Sequence, residues 1–141
     1  MEKFIKIIAY IVFVNVVLIS CNPINSENVS DKILITDSLG NIIGGNFNQW
    51  CLADSNNQIY ARPPYPNPVS DTLNIEISNK KITYSDIRIF FEDGQEVVNQ
   101  RITFFGTRRY KISKSDYGYN NELKLLTIQI DSFICQGYIQ F

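Results

Sequence analysis

The chain has no histidine, one methionine, one tryptophan and only three cysteines among 141 residues. Without imidazole, the nucleophile–histidine relays of serine and cysteine hydrolases are excluded, as is every metal site that needs a histidine ligand. Three thiols cannot complete a four-thiolate zinc site. Gly44-Gly45 is too short for a phosphate-cradling loop, and no Gly-Lys-Ser/Thr follows it. An excess of positive charge is also lacking. Lys plus Arg number 13 against 14 Asp plus Glu, which argues against nucleic acid as a partner held by bulk electrostatics. The main apolar run, "IIAYIVFVNVVLI" from Ile7 to Ile19, holds 13 residues and is interrupted by Asn15. That is roughly 20 Å as a helix, shorter than the roughly 20 residues of a membrane span.

What is present begins with that run. Lys3 and Lys6 precede it, and the order of basic start and short apolar core is that of a signal peptide over residues 1–20. The run closes on "LISC", Leu18 to Cys21, which resembles the bacterial lipobox. The resemblance implies that Cys21 is the acylated first residue of the mature chain, with a membrane as partner. Each buried methylene of an acyl chain contributes ~0.8 kcal/mol, and two or more chains hold stably. Asn22 in place of aspartate leans toward the outer membrane of the bacterial cell envelope. With Cys21 so used, Cys51 and Cys135 remain as an even pair in a compartment that permits disulfides. They are a candidate disulfide. The alternative is two separate buried thiols.

Loss of residues 1–20 removes Glu2, Lys3 and Lys6, taking the net charge from −1 to −2 and leaving one domain's worth of chain. "NPINSENVSD", Asn22 to Asp31, is polar and without period, so residues 21–31 read as a tether and 32–141 as the folded part.

Period-two alternation dominates that part. "LNIEIS" places Leu73, Ile75 and Ile77 on one face. "DIRIFFE" does the same with Ile87, Ile89 and Phe91. Asp93-Gly94 then predicts a two-residue turn with positive φ at both positions, and "QEVVNQRI" runs back. "RRYKIS" alternates Tyr110 and Ile112 against Arg109 and Lys111. Leu126, Ile128 and Ile130 share a face, Asp131-Ser132 turns, and Phe133, Cys135, Gly137, Ile139 and Phe141 share the next. "KILITDSLGNII" predicts two short strands around Ser38-Leu39-Gly40. No helical stripe shows. Eight or nine short strands predict an all-β, antiparallel sandwich.

"YPNPVSDTLNIEIS", Tyr65 to Ser78, sets prolines directly before an alternating strand. Proline fits a sheet edge or a strand's first residues, and Asn67 and Asp71 are placed to bond nearby backbone. The predicted role is a rigid edge leading into a central strand. Tyr65, Pro66, Asn67 and Pro68, the alternating strand after them, and "IRIFFEDGQEV" around Asp93-Gly94 resemble the C-terminal sorting domain of the type IX secretion system, known from Bacteroidetes and related bacteria. The resemblance covers residues 62–141. It implies an immunoglobulin-like β-sandwich and a role as a secretion address.

Two surfaces are candidates for a ligand. Arg108, Arg109 and Lys111 sit among Phe104, Phe105 and Tyr110, either as a basic surface for an acidic glycan or lipid head group, or as the solvated side of one strand. Trp50, Tyr60 and Tyr65 are a candidate sugar-stacking platform, or core and rim. The scattered aspartates fit turns, so no enzyme, metal or cofactor is expected. The first expectation is a non-catalytic envelope lipoprotein presenting a small β-sandwich to an envelope protein or glycan. A type IX sorting module is the second, and a glycan-binding surface lipoprotein the third.

Overall fold

The computed structural model describes residues 28–51 and 58–141. The predicted signal peptide and the Cys21 anchor lie outside the described residues. Elements follow in chain order: α1 Val29–Lys32, β1 Leu34–Thr36, β2 Ile42–Gly45, β3 Ile59–Ala61, β4 Thr72–Phe91, β5 Glu96–Ser113, α2 Lys114–Tyr117, β6 Leu123–Ile130 and β7 Phe133–Gln140. The stretch read as a tether thus enters α1 at its end. Among the described residues, no helix is long and apolar enough to cross a membrane.

The architecture is all-β, antiparallel and sandwich-like. β1 and β2 form one small sheet. In the other, β4 carries β5 along one edge, while β3 and then β6 pair along its other edge, and β7 follows β6. Alternation sorts the core as the sequence implies. Leu73, Ile75, Ile77, Ile87, Ile89, Phe91, Leu126, Ile128, Ile130 and Ile139 are all fully buried.

Two expectations are corrected. "LNIEIS" and "DIRIFFE" are not separate strands but halves of β4, and "QEVVNQRI" and "RRYKIS" are halves of β5, giving seven strands among the described residues. Between the halves the chain bulges rather than turns. Register shifts between Asn79 and Thr83, the Asn79 amide donates to Thr83 Oγ1 at 2.6 Å, and Gly106, φ 83°, lies opposite Asn79. Asn79 Oδ1 also accepts the Lys81 N–H at 3.1 Å, and a side chain that satisfies the bulge backbone locally lets the strand continue. The second correction concerns Asp93-Gly94, where only Gly94 has positive φ, 85°. Asp93 Oδ1 instead accepts the Gln95 N–H at 3.1 Å, an Asx turn that keeps Asp93 out of the left-handed region. Asp131-Ser132 does make the tight turn, with Asp131 at φ 53°.

Candidate functional site

The segment from Pro64 to Val69 is not the sheet edge that its prolines predict. It is a buried seam between the β1–β2 hairpin and the outer edge of β7. Pro64, Tyr65, Asn67 and Val69 are all buried, and the Tyr65-Pro66 and Asn67-Pro68 peptide bonds are cis. Pro64, Pro66 and Pro68 remove three backbone donors here, so the neighbouring groups carry the pairing. Asn67 exchanges backbone hydrogen bonds with Thr36, at 2.9 and 3.2 Å, and the Val69 N–H donates to Gln140 O at 2.7 Å. Thr36 Oγ1 closes the seam onto Pro64 O at 3.0 Å.

Asn67 is the centre of the seam. Its side chain, 0% exposed, donates to Leu34 O at 2.9 Å and Tyr138 O at 3.0 Å, and accepts the Gln140 N–H at 3.0 Å. One amide thereby joins β1 to β7. Its partners lie 33, 71 and 73 residues away, not in the nearby backbone that the sequence predicts. Asp71 contributes through its backbone carbonyl, which accepts the Lys114 N–H at 2.9 Å.

Tyr65 reaches the other way. Its hydroxyl donates to Glu76 Oε1 at 2.7 Å, while Arg62 binds Glu76 Oε2 at 3.1 Å and the Arg109 guanidinium binds Oε1, its Nε at 2.9 Å. Glu76 projects from β4 opposite Leu73, Ile75 and Ile77 and is still buried, because this cluster covers it. Burial alone would raise its pKa, but Tyr65, Arg109 and Arg62 together outweigh burial and hold the carboxyl below its ordinary value. Burial and the Glu76 carboxylate push the Tyr65 phenol up. Gly40 meets the Tyr65 ring, where a Cβ would come within 2.9 Å of Cδ1. The motif tyrosine and asparagine are therefore built into the fold.

The pH dependence has a definite sign. A carboxylate whose folded pKa is depressed stabilises fully above its unfolded pKa, about 4.3, and that stability is lost as pH falls through the folded value. Glu76→Gln is expected to cost about 1.5–3 kcal/mol at pH 7. The difference from wild type should shrink steadily in urea titrations below pH 4. A difference independent of pH would remove the ionic role of Glu76.

The Asp93 turn is a second anchor. Asp93 Oδ2 accepts from Tyr119 Oη at 3.2 Å and Lys124 Nζ at 3.3 Å, joining the β4–β5 hairpin to the start of β6. Burial, then Asp93, pushes the Tyr119 phenol up to about 12. Tyr119 also stands edge-on to Phe91 at 5.2 Å, and Tyr117 and Phe141 complete an aromatic cluster around that ring. Sequence reasoning missed this cluster. Its only signal is "YGY", Tyr117 to Tyr119, and α2 and the loop after it lack the strand period that sorts side chains elsewhere.

The candidate ligand residues are not brought together. Trp50 is 7% exposed and rests on Gly137, where a Cβ would come within 2.4 Å of Cε2. A ring seated in that way offers no open stacking face. Tyr65 is buried as described, and Tyr60 lies half-buried on β3 beneath Lys80. Arg109 is committed to Glu76, whereas Arg108 and Lys111 are exposed on β5. Phe104 is buried, Tyr110 half-buried, and Phe105 67% exposed. One surface depression among the described residues is lined by Ser30, Asp31, Gly45 and Asn46. A second is lined by Asp86, Arg88, Asn99, Gln129 and Asp131. In the second, Asp86 pairs with Arg101, Arg88 with Glu96, and Asp131 accepts the Asp86 N–H.

No curated protein and no solved structure matches the chain. Residues 64–119, from the buried Pro64 through the seam, β4, the Asp93-Gly94 turn and β5 to Tyr119, match the model of a family described as a secretion system C-terminal sorting domain, and in this stretch the chain is similar to that family.

Proposed function

We propose that this chain is an exported bacterial protein whose sandwich-like domain serves as a type IX secretion address, read by an envelope export machinery and catalysing no reaction. The match over residues 64–119 carries this reading and supports it ahead of the free-standing lipoprotein that the sequence places first. The matched stretch does not complete its own core. Ile87, Ile89 and Phe91 are in register with Ile130, Ile128 and Leu126 of β6, and Asn67 needs β7. The address is therefore the whole folded sandwich, not a linear tag. "LISC" supports a second feature, an acylated Cys21 that holds the exported chain at the envelope.

The test is the intact mass of the full chain, expressed in a type IX-competent bacterium and in the same strain without its translocon. The expected product reaches the surface or medium only in the competent strain. A chain running from acylated Cys21 to Phe141 in both strains overturns the sorting role and leaves a resident lipoprotein. An unmodified N-terminus removes the anchor.

A further inference from the structure

The pair Cys51 and Cys135 has no part in the sorting reading. Cys135 lies on β7 and is 1% exposed, and Cys51 is half-buried at the end of a segment laid along that strand's outer edge. The Trp50 N–H donates to Gln136 O at 3.1 Å, the Tyr138 N–H donates to Gln49 Oε1 at 3.0 Å, and the Trp50 ring sits on Gly137. These contacts fix the position of the next residue. The Cys51 N–H donates to Cys135 Sγ at 2.8 Å, and the Cys51 thiol donates to Ile134 O at 3.4 Å. Both thiols are unjoined in the structure.

We propose that Cys51 and Cys135 form a disulfide that staples residues 28–51, which precede the sorting-like stretch, to the last strand. The co-reactant is a disulfide oxidant, either an oxidoreductase or a small-molecule disulfide. Cys51 gives its proton to solvent, and its thiolate attacks one oxidant sulfur, expelling the other as a thiolate. Cys135 then loses its proton and attacks the Cys51 sulfur of the mixed disulfide, expelling the second oxidant sulfur. Two thiols are oxidised, two protons leave, and the oxidant disulfide becomes two thiols.

Burial sets the order. Removal from water pushes the Cys135 thiol well above its ordinary range, so the more exposed Cys51 is the first nucleophile. The bridge closes a loop from residue 51 to residue 135, which constrains the unfolded chain. It also keeps the edge of β7 covered, where open ladder groups would otherwise invite another strand.

Trypsin digestion distinguishes the cysteines. Arg62 precedes Pro63 and resists cleavage, so Cys51 falls in peptide 33–80, Cys135 in 125–141 and Cys21 in 7–32. The full chain, folded and reduced, is exposed to oxidised glutathione, capped with N-ethylmaleimide in denaturant and digested without reductant. The expected species is 33–80 joined to 125–141, two hydrogens lighter than the separate peptides and parted by reductant. Separately capped peptides, or a link involving 7–32, overturn the proposal. No secretion route enters this experiment, so its failure is distinct from failure of the sorting reading. A second readout uses Cys51→Ser, which spares the buried thiol. Reduction should lower the wild-type Tm by at least about 5 °C and leave the variant unchanged. An equal drop in both overturns the bridge.

Discussion

Asn67→Ala is expected to destabilise the domain by about 3–5 kcal/mol, a large part of the roughly 5–15 kcal/mol that holds a domain of this size. The mechanism is loss of partners rather than loss of volume. Without the amide, the Gln140 N–H loses its acceptor, and the carbonyls of Leu34 and Tyr138 each lose one donor. A buried polar group left unpaired costs about 1–3 kcal/mol. The three losses share one site, so they sum to less than three separate deletions.

Asn67→Asp separates this account from simple mispacking. Aspartate keeps the shape and the acceptor but sets a carboxylate against two carbonyl oxygens. Its folded pKa should therefore be raised, so the penalty relative to wild type is largest at pH 7 and eases as pH falls through the raised value. Urea unfolding of wild type and both variants at pH 7 and pH 4 measures the effect. A loss below about 1 kcal/mol for Asn67→Ala, or an aspartate penalty independent of pH, would show that the amide does not join β1 to β7.

Phe91→Ala carries the second large effect, about 3–5 kcal/mol. Phe91 is fully buried, and its ring is ringed by Tyr117 at 5.9 Å, Tyr119 at 5.2 Å and Phe141 at 5.7 Å. Alanine leaves a cavity that those three rings cannot close together, because the Tyr119 hydroxyl is held by Asp93 and the Phe141 N–H donates to Glu122 O at 2.9 Å. Phe91→Leu refills much of the space and should cost less than half as much. In urea the midpoint should fall with the slope unchanged. Equal costs for alanine and leucine would mean that the ring contacts, not the filled volume, hold the cluster.

These two positions differ in how far they can be read in advance. Phe91 is legible as core because it stands in phase with Ile87 and Ile89, but its aromatic partners are not. Tyr117 and Tyr119 come from a short helix and a loop, where no period says which way a ring points. Asn67 is legible only as a turn residue beside proline. Its burial, and its task of joining two distant strands, come from the β1–β2 hairpin closing over the seam. The cysteines are similar. Counting makes Cys51 and Cys135 a candidate pair, but only the run of residues 49–51 along β7 brings them side by side.

The sequence by itself determined which faces of the strands are buried, the all-β class, the turn at Asp131-Ser132 and the resemblance of its proline motif to a sorting domain. All of these are local patterns, set by side-chain alternation and by turn geometry within a few residues. Tertiary structure alone decided that β4 and β5 run unbroken through their bulge. It also decided that Glu76 is covered by Tyr65, Arg62 and Arg109, and that Asn67 bridges β1 and β7. The reason is physical. A strand's own period fixes the side from which a group projects, but its hydrogen-bond partner is whatever the packed chain brings there, here from as far as 73 residues away.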